Sequence, residues 1–242
     1  MSELETAYNK ASSTLKPQKQ GTCGLYSFWY ASLLLSCISG GRRPIVYPRG
    51  GEGGTGESMR HFAKQGVGSG QGEVLSCAEM ESIIRRFGYD CESHVQKEGR
   101  RVFVTSALLR NRPVLFPYMF GNTGPISAFP VHETPGVDYG PHWSLIYAQD
   151  GGNYLYIEPN NPITPVRQPI DTVLNSNSFA DNYKYDRYWS KGGKFDTQTG
   201  TPLPYQYTSG IAPVGNVKGS AVKYDIGDKS RQTLANVLIA VF

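Results

Sequence analysis

One run of apolar and aromatic residues constrains the fold of this chain more than any other feature. Residues 24–36 read GLYSFWYASLLLS and are apolar on almost every side of a helix. A strand of this length would need a break, so the run predicts a buried helix that begins at about Cys23. The segment SGGRRP follows and ends the helix. Such a helix needs packing partners all round, and the chain must therefore build a substantial core.

The length and composition of the chain are sufficient for such a core. It has 242 residues, of which 39% are apolar, enough for one large domain or for two lobes. Its 28 glycines, 16 prolines and 16 tyrosines favour strands and loops over a helical bundle. We expect residues 1–16 to form a flexible polar leader and residues 17–242 to form a single domain.

Charge and cysteine usage exclude several classes of partner. The net charge is only +4 and the basic residues are scattered, so we expect no nucleic-acid binding. Residues 1–16 lack the apolar centre of a secretory signal, and the longest apolar stretch is too short to span a bilayer, so we expect no membrane partner. The four cysteines form no CxxC pair and no zinc-type spacing. We therefore expect the cysteines to be free thiols and the protein to lie in a reducing, cytoplasmic compartment.

The rest of the chain predicts a mixture of helices and strands. Ser76 and Glu79 form a capping box for a second helix, which Gly88 ends. We expect short strands over 92–97 and 101–105, and a short helix over 106–112. The letters PVLFPYMF predict a buried strand, and residues 121–140 a long loop. Residues 160–210 have little periodicity, and the chain ends in a buried strand.

A β-hairpin is predicted near the middle of the chain. The strand HWSLIYA begins at His142, the turn is QDGGN, and the strand YLYIE returns to Glu158. The return strand therefore brings Glu158 and the following Asn160 back towards His142. Either side chain can then accept a hydrogen bond from the imidazole.

Cys23 stands where a nucleophile could be activated. A thiol attacks as the thiolate, and a helix N-terminus favours that anion through its free N–H groups and its dipole. Gly24 is expected to leave open space beside the sulfur for a substrate carbonyl. The backbone N–H of Cys23 and the amide of Gln18 or Gln20 could bind the developing oxyanion.

A nucleophilic cysteine also needs a base and a residue that orients the base. Of the four histidines, only His142 opens a strong strand, where its ring can be held at the edge of a cleft. A cysteine, a histidine or an acidic turn is common in isolation. Their combination in this order indicates a cysteine hydrolase, whereas the other three cysteines are expected to be structural.

The same residues resemble the papain-like cysteine peptidases, in particular the compact C39-like branch. Within that branch, five stretches resemble the actin maturation protease family, and they span most of the chain. In order they read QKQGTCGLYSFWYAS, GQGEVLSCAEMESI, LLRNRPVLFPY, GPHWSLIYA and VLNSNSFAD. The third residue of the site is usually Asp before Pro in these peptidases, and here it is Glu158 before Pro159.

The resemblance implies an α+β, papain-like catalytic domain in which the cysteine helix packs on an antiparallel sheet. Cys23 would be the nucleophile and His142 the general base and acid. Gln18 would be the oxyanion donor, with Gln20 as the fallback. Glu158 would orient His142, with Asn160 as the second choice. No metal or cofactor is implied.

The activity implied by the resemblance is that of a cytoplasmic thiol protease of the aminopeptidase type. It would remove the acetylated N-terminal residue from immature actin, its protein substrate. Members of the family often carry a proline-rich extension suited to profilin. Residues 1–17 contain a single proline, Pro17, so profilin recruitment by that route is not expected.

Two other hypotheses remain open from the sequence. The first is a papain-like protease or deamidase, such as a microbial effector, that acts on another protein. The second is a papain-like module that binds peptides without catalysis. The presence of both Cys23 and His142 disfavours this last hypothesis.

Overall fold

A computed structural model describes residues 1–18, 22–40, 44–45, 59–66, 74, 76–121, 124–127, 140–180 and 234–242. These residues form α-helices around one antiparallel sheet, which confirms the α+β class. The helices are α1 (Glu3–Ala11), α2 (Cys23–Ser39), α3 (Met59–Gly66), α4 (Cys77–Arg86), α5 (Arg100–Leu109) and α6 (Ile170–Phe179). The strands are β1 (Cys91–His94), β2 (Val114–Gly121), β3 (Gly124–Pro125), β4 (Gly140–Asp150), β5 (Asn153–Ile157), β6 (Val166–Pro169) and β7 (Leu238–Val241).

The sheet has the strand order β1-β7-β2-β4-β5-β6, and β3 adds to β2. The C-terminal strand β7 is thus inserted between β1 and β2. Strand β4 lies between β2 and β5, so both of its edges are paired with neighbouring strands. None of the helices in the described ranges has the length and hydropathy needed to cross a membrane.

Both faces of the sheet are buried, because helices cover each of them. Alternate residues of β2 and β4 enter different cores: Leu115 and Leu145 pack with α1, α2, α3 and α4, whereas Val114 and Ile146 pack with α5 and α6. The continuous apolar run PVLFPYMF is the sequence signature of such a strand. The buried strand predicted there is confirmed as β2.

Helix α2 forms as predicted. It begins at Cys23, and Gly40 ends it with φ +59°, a left-handed conformation that glycine adopts without strain. Every residue from 24 to 35 is buried. The helix predicted after Ser76 is also confirmed, and the Ser76 hydroxyl accepts the N–H of Glu79.

The flexible leader predicted for residues 1–16 is wrong, because most of this segment is helix α1. Ser2 and Glu5 form a capping box at its start. Leu4, Ala7, Tyr8 and Ala11 lie on one side of the helix and are buried against α2 and β4. The charged residues between them gave the segment its polar composition and concealed an amphipathic period.

One further local prediction is wrong, and one structured segment was not recognised. The strand expected over 101–105 is the first part of helix α5, which starts after Gly99 and places Val104 and Ala107 on the sheet. β-branched residues there favoured a strand, but tertiary packing outweighs that weak preference. Strand β6 and helix α6 lie within residues 160–210, where no clear period was recognised. Most of the loop predicted over 121–140 lies outside the described residues.

Candidate active site

Cys23 is the first residue of α2 and is partly exposed. One turn later the Ser27 hydroxyl donates to the backbone oxygen of Trp143 at 3.1 Å. This bond holds the first turn of α2 against β4, beside His142. The N-cap residue Thr22 makes no side-chain capping hydrogen bond, in contrast to the capping serines of α1 and α4. The first N–H groups of α2 are therefore not occupied by such a cap.

Gly24 does not provide the open space that the sequence suggested. A Cβ at this position would lie 3.0 Å from Val74 and 3.1 Å from the end of Met80. The glycine is needed because another segment packs closely on the helix. The indole nitrogen of Trp143 donates to the carbonyl of Val74 at 2.8 Å, which holds that segment in place.

His142 connects the cysteine to an acidic residue. Its ring is buried, with 7% of the residue exposed, and its Nε2 lies 2.6 Å from Oε1 of Glu158. Cys23 lies close enough to the same imidazole to raise its pKa. Nε2 is the ring nitrogen that bonds to Glu158, which leaves Nδ1 for another partner. Cys23, His142 and Glu158, which the sequence singled out, are thus brought together.

The electrostatics of this group favour a protonated imidazole. Burial by itself lowers the pKa of His142. The interaction with Cys23, followed by the hydrogen bond and charge of Glu158, outweighs burial and raises the pKa from 6.5 to about 9. An imidazolium next to a sulfur is the arrangement in which a thiolate is stabilised.

Glu158 is held by its own loop. Its Oε2 accepts the backbone N–H groups of Asn160 and Asn161 at 3.0 and 3.1 Å, while Oε1 faces His142. Both carboxylate oxygens are thus engaged, and the side chain has little freedom to turn away. The side chain of Asn160 is not the one bonded to His142, and it points instead to Gln18.

Gln18 reaches the site from the segment that precedes α2. Its backbone N–H donates to the carbonyl of Pro159 at 2.7 Å, and its Nε2 donates to Oδ1 of Asn160 at 2.7 Å. A carboxamide nitrogen carries two hydrogens, and in the described part of the chain Asn160 accepts only one of them. Asn160 therefore orients Gln18. Gln20, the fallback donor, lies outside the described residues.

A β-bulge places His142 and Glu158 on the same face of the sheet. Next to the hairpin turn Ala148 pairs with Leu155, but beyond the bulge Ile146 pairs with Tyr156. The register of the turn alone would put Glu158 opposite Leu145, and so on the face opposite to that of His142. The extra residue in β4 shifts the register by one and reverses that outcome.

Tyr8 of α1 supports this arrangement and was missed from the sequence. Its ring stacks on Tyr147, within the bulge, with centroids 4.7 Å apart. Its hydroxyl donates to the carbonyls of Pro162 and Ile163 at 3.3 and 2.8 Å. Helix α1 thereby holds the loop that carries Glu158. The amphipathic period of α1 was the signal that could have revealed this role.

Within the described ranges, Cys77 and His94 make other contacts and do not join this group. Cys77 is buried and lies 3.8 Å from Oε1 of Glu81. His94 stacks on Phe103 and bonds through Nε2 to the carbonyl of Glu98. His132 and the side chain of His61 lie outside the described residues. In the described part of the chain, no three His, Cys, Asp or Glu side chains are arranged to hold a metal ion.

Comparisons of the chain with protein-family models, with curated proteins and with solved structures found no match. The function is therefore inferred from the residues of this chain and from their geometry.

Proposed function

We propose that this protein is a papain-like cysteine peptidase that works by acyl transfer. The observation that carries the proposal is the position of His142, whose Nε2 bonds to Glu158 and whose pKa is raised by the neighbouring Cys23. Nucleophile, base and orienting residue then stand in the order that thiol hydrolysis requires.

The proposed reaction begins with attack of the Cys23 thiolate on a substrate carbonyl carbon. A carbon–sulfur bond forms, and the carbonyl oxygen becomes an oxyanion. The proton on His142 passes to the leaving amine as the carbon–nitrogen bond breaks, which leaves an acyl-enzyme. His142, now neutral, takes a proton from water, and the resulting hydroxide attacks the carbonyl carbon of the acyl-enzyme. The carbon–sulfur bond breaks, which releases the acid product and restores the Cys23 thiolate beside protonated His142.

The oxyanion would be held by two donors. One is the second hydrogen of the Gln18 carboxamide, whose direction is set by Asn160. The other is the backbone N–H of Cys23, the first residue of α2. Removing one such donor typically lowers kcat by 10²–10³-fold. We expect a loss of about this size for Gln18→Ala, with thiol alkylation of Cys23 preserved.

The proposed substrate is the acetylated N-terminus of immature actin. This choice of substrate rests on the five stretches that resemble the actin maturation proteases. Three of these stretches meet in the structure: Asn177 donates to the carbonyl of Pro117 at 2.7 Å, Ser176 donates to that of Met119 at 2.9 Å, and His142 lies opposite Tyr118 in the sheet. These three stretches are therefore neighbours in one part of the fold.

Mass spectrometry of actin tests this proposal. The full chain and its Cys23→Ala variant are incubated with unprocessed, acetylated actin, and the mass of the N-terminal peptide is followed. We expect the wild-type chain to remove one acetylated residue and Cys23→Ala to remove none. Cys37→Ala is the matched control, because Cys37 is also a partly exposed thiol on α2 but lies near its other end.

Two results would redirect the proposal. If actin is unchanged while Cys23 is alkylated faster than Cys37 at neutral pH, the enzyme is a protease or deamidase with another protein substrate. If Cys23 and Cys37 react alike and His142→Ala changes nothing, the thiol is not activated and the peptidase proposal is wrong.

A further inference from the structure

The two outer strands of the sheet, β1 and β6, differ in how their free edges are protected. At the β6 edge Ile170 donates to the carbonyl of Gly152, and the pairing of β5 with β6 alternates from there. This register directs the backbone of Pro165, Arg167 and Pro169 outwards. Proline has no N–H to offer a further strand, and a charged residue between two prolines is a common protection of an edge. Strand β6 is therefore unsuited to pairing with another chain.

Strand β1 has no such protection among the described residues. Asp90 and Phe242 exchange two backbone hydrogen bonds, so the next residues of β1 that bond to β7 are Glu92 and His94. The backbone N–H and C=O of Ser93, which lies between them, point away from the sheet and have no backbone partner within the described ranges. These two groups are placed to pair with a residue of an added strand.

A groove lies between this edge and helix α5. It has a volume of about 210 Å³, and it is lined by Glu92, Phe103, Ser106, Ala107, Arg110 and Arg112. Its α5 side is fixed to β1, because the Phe103 ring stacks on His94 with centroids 5.4 Å apart. A cavity of about 150 Å³ accommodates a benzene ring, so this β1–α5 groove has room for a side chain. Every second side chain of a strand added to β1 would point to the α5 face of the sheet.

The charges of the β1–α5 groove favour an acidic ligand. Arg112 lies 3.4 Å from Glu92 and over the ring of Phe242 at 3.7 Å, so its guanidinium is held in place and its charge is balanced. Arg110 is exposed and forms no ion pair with any residue of the described ranges. A carboxylate in the groove would balance the charge of Arg110, whereas a cation would be repelled.

The outer face of α5 beside the groove is apolar. Val102 and Leu109 are 70% and 81% exposed, and they lie on the same side of the helix because seven residues make about two turns. Ser106 lies between them and also lines the groove. A ligand in the groove would therefore have apolar contacts next to its acidic ones.

We propose that the β1–α5 groove binds an extended, acidic segment of a partner protein as an additional strand. The backbone of the segment pairs with Ser93, an apolar side chain fills the groove against Phe103 and Ala107, and a carboxylate binds Arg110. Strands β7 and β2 lie between β1 and β4, which carries His142. The binding site is thus apart from the proposed active site, and it does not depend on the proposed function.

Binding of a fluorescent peptide tests this proposal. The probe is an eight-residue peptide in which valine and glutamate alternate. Its binding to the full chain with Cys23→Ala, which prevents cleavage by the proposed mechanism, is followed by fluorescence anisotropy. We expect affinity that weakens as salt is raised, and a weaker affinity for a peptide with lysine in place of glutamate. Arg110→Ala should weaken binding of the acidic peptide about tenfold, because a hydrogen bond between charged groups is lost.

The chain offers a matched control in Arg101. Arg101→Ala removes the same charge from α5, but this guanidinium pairs with Asp171 at 2.7 Å and is not part of the groove. It should leave the affinity as it is without the substitution. Hydrogen exchange of the Ser93 amide should slow when the acidic peptide binds. A peptide that is N-methylated at its central residues should bind more weakly and give no such protection.

Each of the other outcomes would overturn the proposal. These outcomes are no binding of the acidic peptide, equal binding of the lysine peptide, and equal losses for Arg110→Ala and Arg101→Ala. Unchanged exchange of the Ser93 amide in the complex would show that no strand is added. A dimer of the chain that Arg110→Ala dissociates would show that a second copy occupies the groove. None of these results affects the alkylation of Cys23, which tests the proposed function separately.

Discussion

At the scale of single residues, the main question is which side chain orients His142. The sequence left Glu158 and Asn160 as alternatives, since both follow the same strand. In the structure the Glu158 carboxylate bonds to Nε2 of His142, and the Asn160 side chain bonds to Gln18. A carboxylate in this place both orients the ring and favours its protonated form. In the proposed enzyme, Glu158 would therefore orient the base and Asn160 would orient the oxyanion donor.

Substitution of these two residues separates their roles. Glu158→Gln removes the negative charge that helps to raise the pKa of His142, so the pKa should fall below about 9, and kcat should fall with it. Asn160→Ala removes only the side chain that orients Gln18, so the pKa of His142 should stay the same while kcat falls. NMR titration of the imidazole measures the first quantity. Equal titration curves for wild type and Glu158→Gln would contradict this assignment.

At the scale of secondary-structure elements, α1 is part of the support for the site. It carries Tyr8, which touches both the bulge of β4 and the loop after β5. Helix α1 thus holds both the bulge of β4 and the loop after β5, and the position of Glu158 depends on these two features.

Tyr8→Phe tests this support with a single oxygen atom. The ring can still stack on Tyr147, but the hydrogen bonds to Pro162 and Ile163 are lost. We expect a loss of about 1 kcal/mol in the free energy of unfolding and faster hydrogen exchange of the amides of Asn160 and Asn161. Leu4→Ala is the comparison, because it leaves a cavity in the core and should cost about 2–5 kcal/mol. Unchanged exchange in Tyr8→Phe would mean that the loop holds itself.

Helix α6 is fastened to the sheet by buried polar bonds. Asn177 donates to the carbonyls of Pro117 and Val237 and accepts from Arg100, so one side chain joins α6 to β2, α5 and the segment before β7. The pair Ser176-Asn177 belongs to a stretch that resembles a family motif, but its contacts in this structure hold α6 on the sheet.

Asn177→Ala should therefore destabilise the protein strongly. It leaves two buried carbonyl groups and one buried guanidinium with fewer partners, for a cost of about 3–5 kcal/mol in urea unfolding. Ser176→Ala removes a single bond, to the carbonyl of Met119, and should cost about 1 kcal/mol. Equal costs for the two variants would show that the network around Asn177 is not cooperative.

At the scale of the whole molecule, stability should depend on pH through His142. Its pKa is raised from 6.5 in the unfolded chain to about 9 in the folded one. The contribution to stability is therefore fully present below pH 6.5 and is lost as the pH rises through about 9. Urea unfolding at pH 6 and pH 9.5 should differ by about 1–3 kcal/mol in the wild type, and by less in Glu158→Gln. No difference between the two proteins would mean that Glu158 does not stabilise the imidazolium.

The sequence alone determined the features that depend on neighbouring residues. The start of α2 at Cys23, the cap of α4 at Ser76 and the turn at Gly151 follow from local periodicity and backbone preference, and the structure confirms each of them. The pairing of β4 with β5 follows from the same turn, because a short connection brings the two strands side by side in antiparallel directions.

Only the tertiary structure decided how these elements form a site. The bulge at Tyr147 turns Glu158 to the face of His142, and α1 packs on that bulge from a distant part of the sequence. Strand β7 enters the sheet between β1 and β2 from the far end of the chain. Each of these outcomes depends on contacts between residues far apart in sequence. The free energies of such contacts cannot be read from a local sequence pattern. Cys23 could thus be located from the sequence, but the partners that orient and support its base could only be distinguished in the fold.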